Sequence, residues 1–160
     1  MKIAIIFLVF SLIMTLVLPC TAIAGSSGKV IVPYWQKASN MKSVVSVSNI
    51  SNSSVDVTIS LFDENGNIYN ESSESGTNLW VFWGLSSSPL DTPVALASHK
   101  TGQLIIDKVG SSKGGYAIVQ WSSTSNEAVA LITTIQYYAY NSASDFGSIV
   151  IIPLNNGMPF

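Results

Sequence analysis

His99 is the only histidine in the chain, so nucleophilic or metal chemistry has to be built around it or without it. A Ser-His-Asp relay needs partners placed by the fold, and the Gly-x-Ser-x-Gly turn that presents one kind of serine nucleophile is missing. His99 lies between Ser98 and Lys100 in a turn-like segment, which makes it a solvated turn residue. Zinc usually takes several Cys or His ligands, and beyond residue 24 the sequence offers this one histidine and no cysteine. Asp63, Asn65, Asn67 and Glu74 fall at positions 1, 3, 5 and 12 of a calcium-loop spacing, but Ile68 occupies position 6, where the loop bends at glycine. No helical pattern flanks that segment, so it reads as a polar hairpin turn. The pairs Asp63 with Glu64 and Glu71 with Glu74 are the raw material of glycoside hydrolysis. They stand in turns, with no apolar surroundings to shift a pKa. No catalytic residue, metal site or cofactor is expected.

Two other groups of residues suggest binding rather than reaction. Leu79-Trp80-Val81-Phe82-Trp83 puts Trp80 and Phe82 on one face of a strand and Val81 and Trp83 on the other. An exposed ring there would stack on a sugar, which makes Trp80, Phe82 and Trp83 candidate carbohydrate-binding residues; the competing reading places the rings in the core. Tyr137, Tyr138 and Tyr140 form a second aromatic group, read as structural. The second candidate is Val30, Ile31, Val32 and Tyr34, an apolar strand behind the small, polar leader Gly25-Ser26-Ser27-Gly28. Such a strand pairs with the open sheet edge of another copy or completes its own sheet. Asn49, Asn52 and Asn70 each begin an N-x-S sequon, relevant in a eukaryotic secretory pathway.

The elements that position these residues show a period of two. Val55, Val57, Ile59 and Leu61 alternate with Asp56, Thr58, Ser60 and Phe62, the pattern of a half-buried strand. It ends at Asp63-Glu64-Asn65-Gly66-Asn67, where Asn-Gly supplies the positive φ of a hairpin, and Ile68-Tyr69 begins the return. Further strands are expected at Val30–Tyr34 (stopped by Pro33), Ser43–Asn49, Leu79–Trp83, Val94–Ala97, Gln103–Asp107, Tyr116–Trp121, Ala128–Tyr140 and Ile149–Ile152. Segments rich in Ser, Asn, Gly and Pro separate them. This spacing, without a helix, predicts an antiparallel β-sandwich of about seven to nine strands. Tyr116–Trp121 and Ala128–Tyr140 are apolar at successive positions, as central strands would be. Val45, Val47, Val57, Ile59, Leu61, Ile118, Val119, Leu131 and Ile135 are the expected core.

The first residues carry a different signal. Met1-Lys2 precedes an apolar run from Ile3 to Leu18, followed by Pro19 and Ala22-Ile23-Ala24. One basic residue, a short apolar stretch and an A-x-A site read as a secretory signal peptide, residues 1–24, cut after Ala24. The run is short for a membrane span, and Val17-Leu18-Pro19-Cys20 departs from a lipoprotein site at Pro19. Residues 25–160 are then one domain. They keep six lysines against nine carboxylates, a net charge of −3, and the chain holds no arginine. Without clustered basic residues to neutralise phosphates, a nucleic-acid partner is not expected.

The stretch "VSVSNISNSSVDVTISLFDENG", Val45 to Gly66, resembles the opening strands of bacterial exported immunoglobulin-like domains, and "VALASHKTGQLII" is similar to the segment leading into a later strand of such domains. The resemblance implies an immunoglobulin-like sandwich and transfers no activity, because that fold hosts many. The expected function is therefore a non-enzymatic extracellular structural or adhesive protein of a cell surface, self-associating or bound to other surface proteins, with no membrane span after cleavage. The alternative is a carbohydrate-binding module using the aromatic strand. Mass analysis of the exported protein should find Gly25 as its first residue; a product retaining Met1–Ala24, or one beginning at a lipidated Cys20, would overturn the export reading.

Overall fold

The computed structural model describes residues 25–70, 79–82, 90–106, 112–126, 128, 130–140 and 146–160. The segment read as a signal peptide lies outside them. Among the described residues ten strands follow one another: β1 (Ser26–Lys37), β2 (Met41–Asn49), β3 (Val55–Asp63), β4 (Ile68–Tyr69), β5 (Leu79–Phe82), β6 (Val94–Leu96), β7 (Thr101–Ile106), β8 (Lys113–Ser123), β9 (Leu131–Tyr140) and β10 (Phe146–Pro153). They make two antiparallel sheets. The first runs β1-β8-β3-β4, with β6 also on β3; the second runs β10-β9-β2-β7-β5. No α-helix occurs among the described residues, and a 3-10 turn at Leu154–Gly157 carries Leu154 into the core.

The two sheets pack through their alternate positions. Val55, Val57, Ile59 and Leu61 of β3 are buried, as their spacing predicts, and face Val45, Val47, Leu104, Ile106, Leu131 and Ile135 of the second sheet in one cluster. On β8 the buried residues are Ala117, Val119 and Trp121. Ile118, expected in the core, is only half-buried. It pairs with Ile31 and Ser60 on the outward face, because a run of apolar residues does not itself say which parity points inward.

β1 departs most from expectation. Ser26–Gly28 is not a free leader but is paired with Trp121–Ser123, and the strand continues through Pro33 to Lys37. The register passes from Val32 opposite Ala117 to Trp35 opposite Gly115, so three steps on β1 match two on β8. That is a β-bulge, one of the few places where a strand accepts proline. The extra residue reverses the alternation: Val32 is buried before the bulge and Trp35 and Lys37 after it, while Pro33 and Tyr34 face outward. Gly115 makes the close approach feasible, since a Cβ there would overlap the carbonyl of Phe62.

Buried polar groups are paired at the turn from β2 to β3. Asn49 Nδ2 donates to the carbonyls of Ser53 (2.8 Å) and Leu96 (2.9 Å), and its Oδ1 accepts from the N–H and hydroxyl of Ser51. Asn49 is thereby consumed as a tie between β2, the turn and β6, so its sequon cannot carry a glycan in this fold. Asn52 is exposed.

The burial pattern separates two isoleucines of neighbouring strands. Ile59→Ala should cost about 2–5 kcal/mol of unfolding free energy through transfer and cavity terms, and Ile118→Ala clearly less, both measured by denaturant unfolding. Equal losses at the two sites would contradict the register of the first sheet.

Candidate functional site

Most of the residues singled out from the sequence lie apart, but Tyr34, Asp63 and Glu64 border one cleft and Tyr137 reaches Tyr34. His99 is exposed in the turn between β6 and β7, with φ 57, where Lys100 N–H closes onto Ala97 C=O at 3.2 Å. Asp63 is occupied by its own turn. Its Oδ1 accepts from the N–H groups of Asn65 (2.9 Å) and Asn67 (2.8 Å), and its Oδ2 from Asn67 Nδ2 at 3.3 Å. Gly66, at φ 81, supplies the left-handed step of the turn. Among the described residues no group of three His, Cys, Asp or Glu is placed to hold a metal; Glu71 and Glu74 lie outside them.

The aromatic candidates divide. β5 is the edge strand of the second sheet, where Trp80 pairs with Ile105 and Phe82 with Gln103; Trp83 lies outside the described residues. Tyr137 packs against the core and donates its hydroxyl to the carbonyl of Tyr34 at 2.7 Å. Burial, and then the neighbouring Tyr34, push the Tyr137 phenol above its usual range. Lys42 Nζ stands 4.9 Å from the centre of the Tyr138 ring and 5.5 Å from that of Tyr140, a cation–π arrangement on the outer face. Val30, Ile31 and Val32 are paired within the first sheet, opposite Val119, Ile118 and Ala117. Tyr34 sits in the bulge.

Two features were not singled out from the sequence. The first is β10. It closes the second sheet, pairs among the described residues with β9 alone, and is exposed on both faces: Ile149, Val150, Ile151 and Ile152 keep 50, 52, 59 and 41 % of their surface in solvent. Val150 and Ile152 pair with Tyr137 and Ile135, the core-facing positions of β9. Their exposure therefore means that the first sheet does not extend over β10. The second feature is an open cleft beside the β1 bulge, lined on one side by Tyr34, Gln36 and Lys37 and on the other by Asp63, Glu64 and Tyr116.

No protein-family model matches the sequence, and comparison with curated proteins and with solved structures gave no match. The functional reading rests on these residues alone.

The Asp63 turn has a pH signature. The backbone N–H of Asn67, foremost among its partners, holds the carboxyl below its ordinary value of 3.8. A carboxyl depressed in the folded state contributes stability above its unfolded pKa and loses it as pH falls through the folded one. Acid titration of unfolding should therefore show the wild type losing stability below about pH 4, with a shallower dependence in Asp63→Asn. Identical profiles would show that the turn does not favour the ionised carboxylate.

Proposed function

We propose that the protein is an exported, non-enzymatic structural or adhesive subunit of a cell surface, built on an immunoglobulin-like sandwich and acting by pairing with a second copy of itself. The uncovered β10 edge carries this reading. A sheet edge offers unpaired N–H and C=O groups to any extended chain, and proteins usually blunt such edges with charge, proline, bulges or short strands. The other edges here are blunted. β1 is broken by Pro33 and its bulge, β4 has 2 residues, β6 has 3 and β5 has 4. β10 has 8 residues, and its bulge and Pro153 fall at its two ends.

A second copy is the occupant that fits. From Phe146 to Phe160 the sequence contains no charged residue, so two β10 strands meeting antiparallel about a two-fold axis oppose no like charges. Each brings apolar β-branched side chains to both faces, which favours close cross-strand contact. Such an isologous pair closes at two copies. Apolar surface on both faces of one edge, including the face left open by the first sheet, supports assembly rather than an isolated soluble domain.

Light scattering after size-exclusion chromatography should show the wild type shifting to dimer as concentration rises. Ile151→Lys, a charge on an exposed edge position, should hold it as monomer with stability changed by less than about 0.5 kcal/mol. A wild type that stays monomeric throughout, or an Ile151→Lys protein that dimerises equally well, would refute the pairing.

A further inference from the structure

We propose that the cleft beside the β1 bulge is a binding site for a neutral saccharide, with a sugar ring packed against Tyr34 and Tyr116. This site is separate from the β10 edge and from the aromatic strand β5. The cleft has a volume of about 560 Å³, within the range of small-molecule sites, and it opens broadly to solvent, as a groove must if a glycan chain is to run on past it.

Its shape follows from the bulge. The Tyr34 ring lies over Gly114, where a Cβ would come 3.1 Å from its Oη, and Gly115 lies against the carbonyl of Phe62, so neither position has room for a side chain. Tyr34, turned outward by the bulge, and Tyr116 line the cleft with 48 and 36 % of their surfaces exposed. Neither ring swings freely. Tyr116 is stacked on Phe62, with centroids 4.7 Å apart and planes 8° apart, and the Tyr34 hydroxyl donates to Gln36 Oε1 at 3.2 Å. Rings already fixed lose little freedom when a ligand arrives.

The chemistry around the rings selects the ligand class. A pyranose offers a C–H face, which packs on aromatic rings, and a rim of hydroxyls that each donate and accept. The cleft supplies both kinds of partner at its rim: the Gln36 amide, the Glu64 carboxylate, the Lys113 ammonium and two phenols. Asp63 is not among them, since its oxygens are held by the turn. The carboxylates of Asp63 and Glu64 stand against the Lys113 ammonium, while the buried Lys37 turns its ammonium to the Tyr69 ring at 5.5 Å, so the cleft has no excess of positive charge to draw phosphate, sulfate or uronate groups. Polar rim groups of both signs with half-exposed aromatic rings favour a sugar over an apolar ligand, which would require an enclosed pocket.

Amide NMR titration of the protein with cellohexaose, xylohexaose, mannohexaose and chitohexaose tests the site, with hexagalacturonic acid and a tetra-alanine peptide as comparators. At least one neutral hexaose should shift the amides of Gln36, Gly114, Gly115 and Tyr116. Tyr34→Ala and Tyr116→Ala should each weaken its binding about tenfold, whereas Tyr34→Phe, which keeps the ring, should stay within about threefold of wild type. Thermal melting confirms that each variant is folded, and Ile151→Lys should bind as wild type does, so that loss of the dimer and loss of the sugar are told apart. The proposal is overturned if no neutral hexaose binds, if the shifts fall on β5 instead of the cleft, if the acidic oligomer or the peptide binds more tightly, or if the two alanine variants bind as wild type does.

Discussion

The indole N–H of Trp35 donates to two carbonyls at once, those of Phe62 on β3 (3.1 Å) and Tyr116 on β8 (3.0 Å), and the first sheet is arranged around that contact. Trp35 is fully buried, its ring 5.0 Å from that of Tyr69. A tryptophan contributes a large apolar area to a core without a disulfide, but its N–H, left unpaired there, would cost about 1–3 kcal/mol. The bulge at Pro33-Tyr34 resolves this conflict by aiming the ring inward where β8 has narrowed to Gly114-Gly115. The same residue insertion turns Tyr34 out, so core packing and the cleft have one cause.

The edges of the sandwich follow a second constraint. A β-protein with few charges has little besides strand length, bulges and proline with which to protect its sheet ends. These devices are present on β1, β4, β5 and β6, and are confined to the ends of β10. Around β10 the second sheet overhangs the first, and apolar side chains from Ile149 to Ile152 remain in solvent. This unguarded, uncharged edge is what the proposed pairing of two copies rests on.

Much of this architecture was legible in the sequence, and the reasons differ by element. β3 was readable because one face is buried and the other solvated, so its alternation writes the register directly. The hairpin after it was readable because Asn65-Gly66 is a turn signal with a mechanism, although only Gly66 takes the positive φ. β1 was misjudged at Pro33, which reads as a stop; the bulge that lets the strand pass through it shows only in the pairing with β8, distant in sequence. Ile118 was misplaced because consecutive apolar residues on β8 leave the inward parity open. β10 read as an ordinary strand for the same reason, since four apolar residues in a row do not reveal that the opposite sheet stops short. The cleft was not legible at all, for its lining comes from β1, β8 and the turn after β3, which only the strand pairing brings together.

The bulge is the point on which register, core and cleft all depend, and hydrogen exchange at a single atom tests it. If the Trp35 indole N–H bridges Phe62 and Tyr116 in the core, it should exchange with solvent only through global unfolding, as slowly as the most protected backbone amides of β3 and β8. Exchange of that N–H at the rate of an exposed indole, in protein whose β3 amides stay protected, would show that Trp35 is not seated between the two strands and that the bulge is not where this account puts it.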